Sequence, residues 1–153
     1  MNVGDKVSDF ELPDETGTPR KLSELLAGGP VVLFFYPAAM TGGCTAEACH
    51  FRDLAEEFAA VGAQPVGISP DPVEKQQRFA STHSFGYPLL SDVGGTVAKE
   101  FGVWRKLWPT LNTKRRTFVI GQDRTVIEAI KSEMKFELHA DEALRVLKER
   151  AAA

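Results

Sequence analysis

The sequence has few cysteines and no long apolar segment. It contains two cysteines, Cys44 and Cys49, in 153 residues. A chain of this length can bury a full hydrophobic core without disulfide bonds or metal ions to stabilise it. The longest strongly apolar run, Val31–Tyr36, is far too short to span a bilayer. A basic start followed by an apolar run is also missing, which argues against a signal peptide. We therefore expect a cytoplasmic protein without a membrane partner, in which cysteines are more often reduced, catalytic or metal-bound than permanently bridged.

An excess of positive charge is missing as well. The formal net charge is -3, with 43% hydrophobic and 25% charged residues, which is typical of a mildly acidic globular protein and predicts no nucleic-acid partner. One segment departs from this composition, because residues 104–116 carry five cations and no acid. No repeat or low-complexity linker divides the chain, so we expect a single domain over residues 1–153.

Short strand and helix patterns alternate along most of the chain. Six apolar residues in succession, Val31–Tyr36, predict a strand that is covered on both faces. Apolar residues at spacings of three and four predict a helix over about residues 43–61, ended by Gly62. The later segments are a strand over 64–69, a helix over 71–83 with Asp71 as N-cap and Pro72 at its first position, a short helix over 94–101, a hairpin over 117–130 and a closing helix over 140–150.

The order of these segments predicts the fold class. Residues 1–30 form an irregular or hairpin-like lead-in, with turn residues in "PDETGTPR" and a short helical turn before Gly28 and Gly29. The succession β-α-β-α, a further segment and β-β-α then resembles an α/β, thioredoxin-like fold. In that fold a central mixed sheet is flanked by helices, and here it carries an N-terminal extension.

Both cysteines lie in "YPAAMTGGCTAEACHF", residues 36–51, directly after the buried strand. Cys44 falls in the first turn of the predicted helix, where unpaired backbone N–H groups and the positive end of the helix dipole favour a thiolate. Cys44 lies about 20° from Phe51 on the inward face, and Cys49 is rotated about 140° from Cys44. Residues five apart in a helix have Cα atoms about 8.7 Å apart, beyond the roughly 4.4–6.8 Å of a disulfide. A bond between these cysteines therefore requires the helix start to unwind.

The residues by themselves leave several alternatives open for this pair. Free cysteines are among the most buried residue types, so inert packing is one alternative. Exchange motifs of the thioredoxin type have a narrower cysteine spacing, and the match to a haem attachment motif is partial. A zinc site needs about four ligands, whereas Cys44, Cys49 and His50 project in different directions. His83 and His139 are expected to be solvated residues in loops or at helix ends rather than ligands.

A longer motif in the same segment indicates a family. Pro37, Thr41 and Cys44 form the pattern Pro-x-x-x-Thr-x-x-Cys, and with it the sequence resembles a peroxiredoxin. The spacing of Cys44 and Cys49 further resembles the bacterioferritin comigratory protein or PrxQ subgroup. The similarity extends over nearly the whole chain, through "VGDKVSDFELPDETG", "VVLFFYPAAMTGGCTAEACHFRD", "GISPDPVEKQQRFA" and "YPLLSD".

The resemblance implies a thiol peroxidase that reduces hydrogen peroxide and organic hydroperoxides without metal, haem or flavin. Cys44 would be the peroxidatic nucleophile, whose thiolate attacks the peroxide and becomes a sulfenic acid. Cys49 would be the resolving cysteine, forming an intramolecular disulfide that thioredoxin or a similar dithiol reduces. Since one chain holds both cysteines, a monomer suffices. The alternative is a thioredoxin-fold disulfide-exchange or redox-sensing protein without peroxidase activity.

The same resemblance assigns roles to residues around the cysteines. Pro37 would shape the loop and shield the sulfur from water, and Thr41 would offer its hydroxyl to the thiolate or the peroxide, with a simple helix N-cap as the alternative. The register of "RRTFVI" selects Arg115, rather than Arg116, as the arginine that stabilises both thiolate and peroxide. Glu47 matches an acidic position that orients this arginine, and an exposed glutamate on the helix surface is the alternative.

The loop before Cys44 departs from the pattern of the family. Many relatives read Thr-Pro-Gly-Cys, whereas this chain has Gly42 and Gly43 between Thr41 and Cys44. Two glycines still supply backbone N–H donors, but they make the loop less rigid. We expect the chemistry to survive and the fully folded active state to be less strongly favoured.

The cationic segment contains two tryptophans. One hypothesis makes Trp104, Leu107 and Trp108 an apolar rim near Cys44, which would favour organic hydroperoxides over hydrogen peroxide. The alternative is that the tryptophans pack under the domain as ordinary buried aromatic residues. The two hypotheses differ in where the structure places these side chains relative to Cys44.

Overall fold

The computed structural model describes residues 1–105 and 113–152. Its strands are β1 (Glu11–Pro13), β2 (Pro19–Lys21), β3 (Val31–Phe35), β4 (Gln64–Ser69), β5 (Leu89–Ser91), β6 (Arg116–Ile120) and β7 (Val126–Lys131). Its helices are α1 (Leu22–Leu25), α2 (Gly42–Asp53), α3 (Ala55–Ala60), α4 (Val73–His83), α5 (Thr96–Glu100) and α6 (Leu138–Ala152), with a 3-10 turn over Leu26–Gly28.

A five-stranded mixed sheet with the order β5-β4-β3-β6-β7 forms the centre of the fold. β3 pairs parallel with β4 and antiparallel with β6. β4 pairs parallel with β5, and β6 pairs antiparallel with β7. β1 and β2 form a separate antiparallel pair in the N-terminal lead-in, as predicted. The mixed sheet with its helices confirms the α/β class.

The central strand β3 separates two apolar clusters. Val32 and Phe34 belong to the cluster that also contains Cys44, while Leu33 and Phe35 belong to the cluster on the other face. All of these side chains are buried. The prediction of a strand covered on both faces is therefore confirmed, and the alternation of side chains along β3 explains why every position in it is apolar.

The helix predicted over residues 43–61 is divided in the structure, so the prediction of one continuous helix is wrong. α2 ends at Asp53 and α3 begins at Ala55, with φ -98° and ψ 12° at Leu54 between them. In a straight helix, residues seven apart are separated by about 10.5 Å along the axis. The break allows the rings of Phe51 and Phe58 to stack with their centroids 5.7 Å apart.

The predicted start of α4 is wrong by one position. Pro72, rather than Asp71, is the N-cap, and the helix begins at Val73. The Asp71 carboxylate instead accepts hydrogen bonds from the Ser69 hydroxyl and from the Ala39 backbone N–H, both at 2.6 Å. These buried donors hold Asp71 outside the helix, and they connect the end of β4 to the loop that precedes α2.

The remaining predicted elements are present with small changes in their ends. The short helix expected over residues 94–101 is α5, the hairpin expected over 117–130 is β6 with β7, and the closing helix expected over 140–150 is α6. α6 is longer than predicted because Leu138 and His139 already belong to it. Within the part of the chain that the structure describes, no helix has the length and apolar character that crossing a membrane requires.

Candidate active site

Cys44 lies in the first turn of α2, just beyond the loop that leaves β3. Thr41 is the N-cap, with an extended backbone at φ -88° and ψ 157°, and Gly42 and Gly43 are the first two helical residues. The Cys44 side chain is 1% exposed, which confirms its predicted position on the inward face. Its sulfur thus lies near the unpaired N–H groups and the positive end of the α2 dipole.

Arg115 contacts Cys44 and Glu47 at the same time. Its Nη2 donates a hydrogen bond to Cys44 Sγ at 3.3 Å, and its Nη1 donates to Glu47 Oε1 at 2.9 Å. Arg115 immediately precedes β6, in which Arg116 pairs with Phe35 of β3, so the strand register brings the guanidinium to the end of β3. The structure thus brings together Cys44, Glu47 and Arg115, as the sequence analysis predicted, and leaves Arg116 outside this contact.

Glu47 is fully buried, so the alternative of an exposed glutamate on the helix surface is wrong. Burial raises the pKa of Glu47 to about 8, although the positive charge of Arg115 beside it acts in the opposite direction. Its Oε1 accepts from Arg115, whereas Oε2 has no hydrogen-bond partner among the residues that the structure describes. Glu47 Oε2 is therefore a buried polar atom without a hydrogen bond among the described residues.

Glu133 holds the opposite side of the Arg115 guanidinium. Its backbone carbonyl accepts from Arg115 Nε at 3.3 Å. Its carboxylate accepts from Arg105 Nη2 at 2.7 Å and from Arg116 Nη1 at 3.1 Å. All three guanidinium nitrogens of Arg115 therefore have partners, which fixes the plane of the group toward Cys44. The sequence analysis missed Glu133, since nothing in the local pattern distinguishes it from a surface acid.

Phe136 covers the site from the segment between β7 and α6. The carbon at the centre of the Arg115 guanidinium lies 4.8 Å from the centroid of the Phe136 ring, within the range of a cation–π contact. A Cβ atom built at Gly43 would come within 2.7 Å of the same ring and 3.2 Å of Arg115 Nη2. The backbone of α2 therefore passes close to both side chains at Gly43, and Phe136 was not predicted from the sequence.

The profile of the AhpC/TSA family matches residues 3–129. The chain belongs to this family. It is 64% identical over 149 residues to a putative peroxiredoxin of Mycobacterium tuberculosis, covering 97% of each sequence. It is also 41% identical over 147 residues to the chloroplastic peroxiredoxin Q of Sedum lineare, covering 96% of this chain and 78% of the plant protein.

Solved structures of peroxiredoxins resemble the whole chain. The peroxidoxin BcpB from Mycobacterium tuberculosis superposes with a TM-score of 0.94 at 63% identity, covering 97% of each chain. The bacterioferritin comigratory protein of Xanthomonas campestris superposes with a TM-score of 0.84 at 32% identity, covering 93% of this chain and 92% of that one. The resemblance stated from the Pro37, Thr41 and Cys44 motif is confirmed, together with the thioredoxin-like fold and a thiol peroxidase function.

Two adjacent glycines of this peroxiredoxin give a matched test of the close approach to Phe136. We expect Gly43→Ala to displace the Phe136 ring or Arg115 and to lower the rate of reaction with peroxide by about tenfold, since a shift of Arg115 weakens a charge-assisted hydrogen bond. Gly42→Ala is the control because a Cβ there has no neighbour within 4 Å. Stopped-flow oxidation of both variants measures the effect, and equal rates would contradict it.

Thr41 and Pro37 lie in the loop that precedes Cys44, and among the described residues the Thr41 hydroxyl makes no hydrogen bond to the sulfur. The Thr41 hydroxyl donates to the backbone carbonyl of Ala38 at 2.8 Å and makes no side-chain capping bond to α2. Pro37 is half-buried in the loop between β3 and α2. The predicted bond from Thr41 to the thiolate is thus replaced by a bond within the loop, and its predicted contact with an incoming peroxide stays a prediction.

Cys49 lies in α2 as well, one and a half turns after Cys44, and both thiols are free. Cys49 is half-buried, in keeping with its predicted rotation away from Cys44. The intact helix therefore holds the two sulfurs on different sides. Sequence spacing alone indicated this geometry, since both residues belong to one continuous helix.

Trp104 does not border Cys44, so this part of the apolar-rim hypothesis is wrong. Its ring packs against the cluster on the opposite face of the sheet from Cys44, close to Gly95, and Lys99 Nζ lies 5.3 Å from the ring centroid. The alternative, packing under the domain, describes Trp104. Leu107 and Trp108 lie outside the described residues.

The two remaining histidines both lie at helix ends, as predicted, but His139 is not solvated. His83 ends α4, but it is half-buried between aromatic rings, including that of Phe85 at a centroid distance of 5.4 Å. His139 is in the first turn of α6 and is fully buried. Its Nδ1 lies 3.6 Å from Glu47 Oε2. The sequence analysis placed His139 correctly at a helix end but missed that this end is packed against α2.

Within residues 1–105 and 113–152, one group of histidine and carboxylate side chains has the spacing of metal ligands. The ligand atoms of His50, Glu137 and Asp141 lie within 4.8 Å of one another. His50 Nε2 is 2.7 Å from Asp141 Oδ1, and both acids are exposed, so a surface hydrogen bond between α2 and α6 accounts for the proximity of these side chains. Neither cysteine takes part in it.

Proposed function

We propose that Cys44 is the peroxidatic nucleophile of this thiol peroxidase and that Arg115 holds both its thiolate and the substrate. The observation that carries the proposal is the buried contact of 3.3 Å between Arg115 Nη2 and Cys44 Sγ. A guanidinium stabilises the thiolate and offers further N–H donors to the peroxide oxygens. The thiolate forms an S–O bond while the O–O bond breaks, and the leaving alkoxide or hydroxide takes up a proton to give an alcohol or water.

Cys49 then resolves the sulfenic acid on Cys44. Its thiol forms the S–S bond and the sulfenic oxygen leaves as water. Because the intact helix separates their Cα atoms by about 8.7 Å, the first turns of α2 must unwind. Oxidation removes the negative charge from Cys44 and so weakens its bond to Arg115, which favours unwinding at the step that needs it. The flexible Gly42–Gly43 pair lowers the cost of this change.

Thioredoxin or a similar dithiol is the proposed reductant of the Cys44–Cys49 disulfide. A dithiol reduces such a bond by exchange through a mixed disulfide, which requires access to one sulfur. Unwinding of α2 exposes both sulfurs at the surface. Since one chain supplies both cysteines, a monomer completes the cycle. Size-exclusion chromatography of the reduced and oxidised protein tests this point directly.

Hydrogen peroxide and organic hydroperoxides are the proposed substrates. Two apolar side chains belong to the segments around Cys44, because Met40 is 49% exposed in the loop before α2 and Phe136 lies against the Arg115 guanidinium. Such surroundings accept an alkyl group beside the reacting oxygens. The Xanthomonas campestris relative is described by its alkyl peroxide reduction activity, which agrees with this assignment.

Mass spectrometry after one equivalent of peroxide tests the proposed cycle. We expect the wild-type protein to lose two hydrogens, because the disulfide forms, and Cys49→Ser to gain one oxygen, because the sulfenic acid then has no partner. The oxidised wild type is expected to be reduced by thioredoxin, thioredoxin reductase and NADPH. If Cys49→Ser turns over with thioredoxin at the wild-type rate, the resolving role of Cys49 is wrong and a mechanism with one cysteine replaces it.

A further inference from the structure

A chain of buried hydrogen bonds holds the loop between β3 and α2 at two points. The Tyr36 hydroxyl donates to Gln76 Oε1 at 2.5 Å, and Gln76 Nε2 donates to Ser69 Oγ at 2.9 Å. The Ser69 hydroxyl donates to Asp71 Oδ2 at 2.6 Å, and the same oxygen accepts from the Ala39 backbone N–H at 2.6 Å. All five residues are buried. The chain of bonds therefore begins at Tyr36, directly after β3, and returns to the same segment at Ala39.

The donors and acceptors in this chain are mutually consistent. Gln76 Nε2 has two hydrogens, and the second one goes to the Leu90 carbonyl oxygen at 2.8 Å, which leaves Gln76 Oε1 as the acceptor for Tyr36. Ser69 has one hydroxyl hydrogen, which goes to Asp71, and its lone pairs accept from Gln76. A carboxylate oxygen can accept two hydrogen bonds, so Asp71 Oδ2 accommodates both of its donors. Bonds to a charged acceptor are also stronger than bonds between neutral groups.

The loop requires such an anchor because its backbone does not have a favoured conformation. Met40 has φ 67°, in the left-handed region that residues other than glycine rarely adopt. It lies between Ala39, whose N–H is held by Asp71, and Thr41, the N-cap of α2. A strained residue of this kind persists where its surroundings determine its conformation. The bond from the Ala39 N–H to Asp71 comes from outside the loop and fixes the residue next to the strained one.

The anchor affects the step that follows the oxidation of Cys44. Unwinding of the first turns of α2 releases the strain at Met40, whereas the bond between Ala39 and Asp71 opposes movement of the loop. As long as α2 stays folded, the sulfenic acid on Cys44 remains where peroxide reacts. A second peroxide molecule then forms another S–O bond as its O–O bond breaks, which gives a sulfinic acid and an alcohol or water. Disulfide formation and over-oxidation therefore compete for the same sulfenic acid.

We propose that Asp71 is a positioning residue of the peroxidase: its bond to the Ala39 N–H keeps the start of α2 folded, which slows disulfide formation and leaves time for over-oxidation of Cys44. The inference rests on the proposed roles of Cys44 and Cys49. Asp71 acts on the sulfur through the backbone of the loop. Its other oxygen, Oδ1, pairs with Lys75 Nζ at 3.2 Å and takes no part in the bond to Ala39.

Removal of the anchor is expected to accelerate disulfide formation. We expect Asp71→Ala to form the disulfide from the Cys44 sulfenic acid about tenfold faster than the wild type, because a charge-assisted bond that opposes unwinding is lost. The peroxide concentration that inactivates half of the protein during turnover is expected to rise about tenfold. Rapid quenching with an alkylating reagent and mass spectrometry measure both effects, since the sulfinic acid adds two oxygens. A wild-type rate of disulfide formation in Asp71→Ala overturns the proposal.

A second variant and a second measurement test the anchor with a smaller change. Asp71→Asn keeps an acceptor oxygen for Ala39 and removes the charge, so we expect disulfide formation about threefold faster than in the wild type. Hydrogen exchange of the Ala39 amide, followed by NMR, does not depend on turnover. We expect this amide to be protected in the reduced wild type and to exchange faster in Asp71→Asn. An unprotected Ala39 amide in the wild type contradicts the proposal, even if Asp71→Ala does not fold.

Two controls separate the anchor from other effects of Asp71. Lys75→Gln removes the partner of Oδ1 and leaves the bond to Ala39 in place. Val126→Ala lowers the stability of the protein in the cluster on the other face of the sheet. We expect both variants to form the disulfide at the wild-type rate. Acceleration in Lys75→Gln would assign the effect to the ion pair, and acceleration in Val126→Ala would assign it to lost stability; either result overturns the proposal.

The same measurements distinguish this inference from the proposed function. If Cys44→Ser remains an active peroxidase, or if the oxidised wild type contains no disulfide, the proposed function fails. The exchange of the Ala39 amide still tests the bond to Asp71 in that case, because it is measured in the reduced protein. If the disulfide forms in the wild type but at an unchanged rate in Asp71→Ala, the proposed function stands and the role of Asp71 is wrong.

Discussion

Replacing Cys44 with serine is expected to reduce peroxide consumption to the rate measured without the protein. Serine keeps the shape of the side chain, but its hydroxyl stays protonated near neutral pH and is a weak nucleophile without a general base. The first turn of α2 contains Cys44 in a fully buried position, where a residue of nearly equal size preserves the packing. The loss of activity would therefore reflect chemistry and not unfolding.

Consumption of NADPH with thioredoxin and thioredoxin reductase measures this effect. Circular dichroism and thermal unfolding of Cys44→Ser verify that the fold is intact. Cys49→Ser is the matched control because it removes the other thiol of the same helix. We expect each molecule of this variant still to reduce one molecule of peroxide through the oxidation of Cys44. Activity that survives in Cys44→Ser would contradict the assignment of the nucleophile.

Replacing Arg115 with glutamine is expected to slow the oxidation of Cys44 by about 10²- to 10³-fold, equivalent to about 3–4 kcal/mol of transition-state stabilisation. The guanidinium donates to the sulfur at 3.3 Å, and the site around it is buried, so water cannot replace the lost charge. Arg115→Lys is expected to recover part of the rate, because an ammonium group restores the charge but cannot bond to Cys44 and Glu47 as a fork.

Arg116→Gln is the matched control for Arg115→Gln. Arg116 is the next residue in the chain and is also an arginine, but its guanidinium pairs with Glu133 and does not contact Cys44. Stopped-flow measurement with equal peroxide concentrations compares the two variants. We expect Arg116→Gln to stay within about threefold of the wild type, as for a half-exposed ion pair. If the oxidation rate fell more in Arg116→Gln than in Arg115→Gln, Arg116 rather than Arg115 would be the arginine that stabilises the thiolate.

The conformational change that the proposed disulfide cycle requires is local, and the contacts that oppose it can be identified. The start of α2 is held by the bond from Arg115 to Cys44 and by the packing of Phe136 against Gly43. Farther along the helix, His50 pairs with Asp141 of α6. Oxidation of Cys44 weakens the first of these contacts and leaves the others, so unwinding is expected to begin at the N-terminal turns.

Several parts of the site could be predicted from the sequence because they depend on local geometry. The period of 3.6 residues per turn predicted that Cys44 faces inward and that Cys49 is rotated away from Cys44. Both residues lie in α2, between Gly42 and Asp53, so helix geometry alone relates their positions. The family motif selected Arg115 over Arg116, and the pairing of β6 with β3 agrees with that register. The positions of these residues could be predicted because nearby residues in the chain, or the residues of a known motif, determine which way their side chains face.

Where the sequence left alternatives open or predicted wrongly, the surroundings come mainly from distant segments. Glu47 and Arg115 are 68 residues apart in the sequence, and helix periodicity does not show whether another element covers the Glu47 stripe of α2, so only the family resemblance favoured the contact that the structure shows. One hypothesis placed Trp104 near Cys44 because of its position in a cationic segment, yet its ring packs beside Gly95 at the start of α5, against the cluster on the other face of the sheet. The break at Leu54 is invisible in the apolar pattern, which continues through it.

The sequence by itself determined the order of most strands and helices, though not β5, together with the position of Cys44 at a helix start and the five-residue spacing that would require unwinding for a disulfide. Local periodicity and turn chemistry suffice for these features, since they concern residues close together in the chain. The tertiary structure alone decided the burial of Glu47, the approach of His139 and the cover by Phe136. These depend on how β6 and α6 pack against α2, and the properties of a buried carboxyl group or imidazole follow from its desolvation and its partners rather than from its place in the sequence.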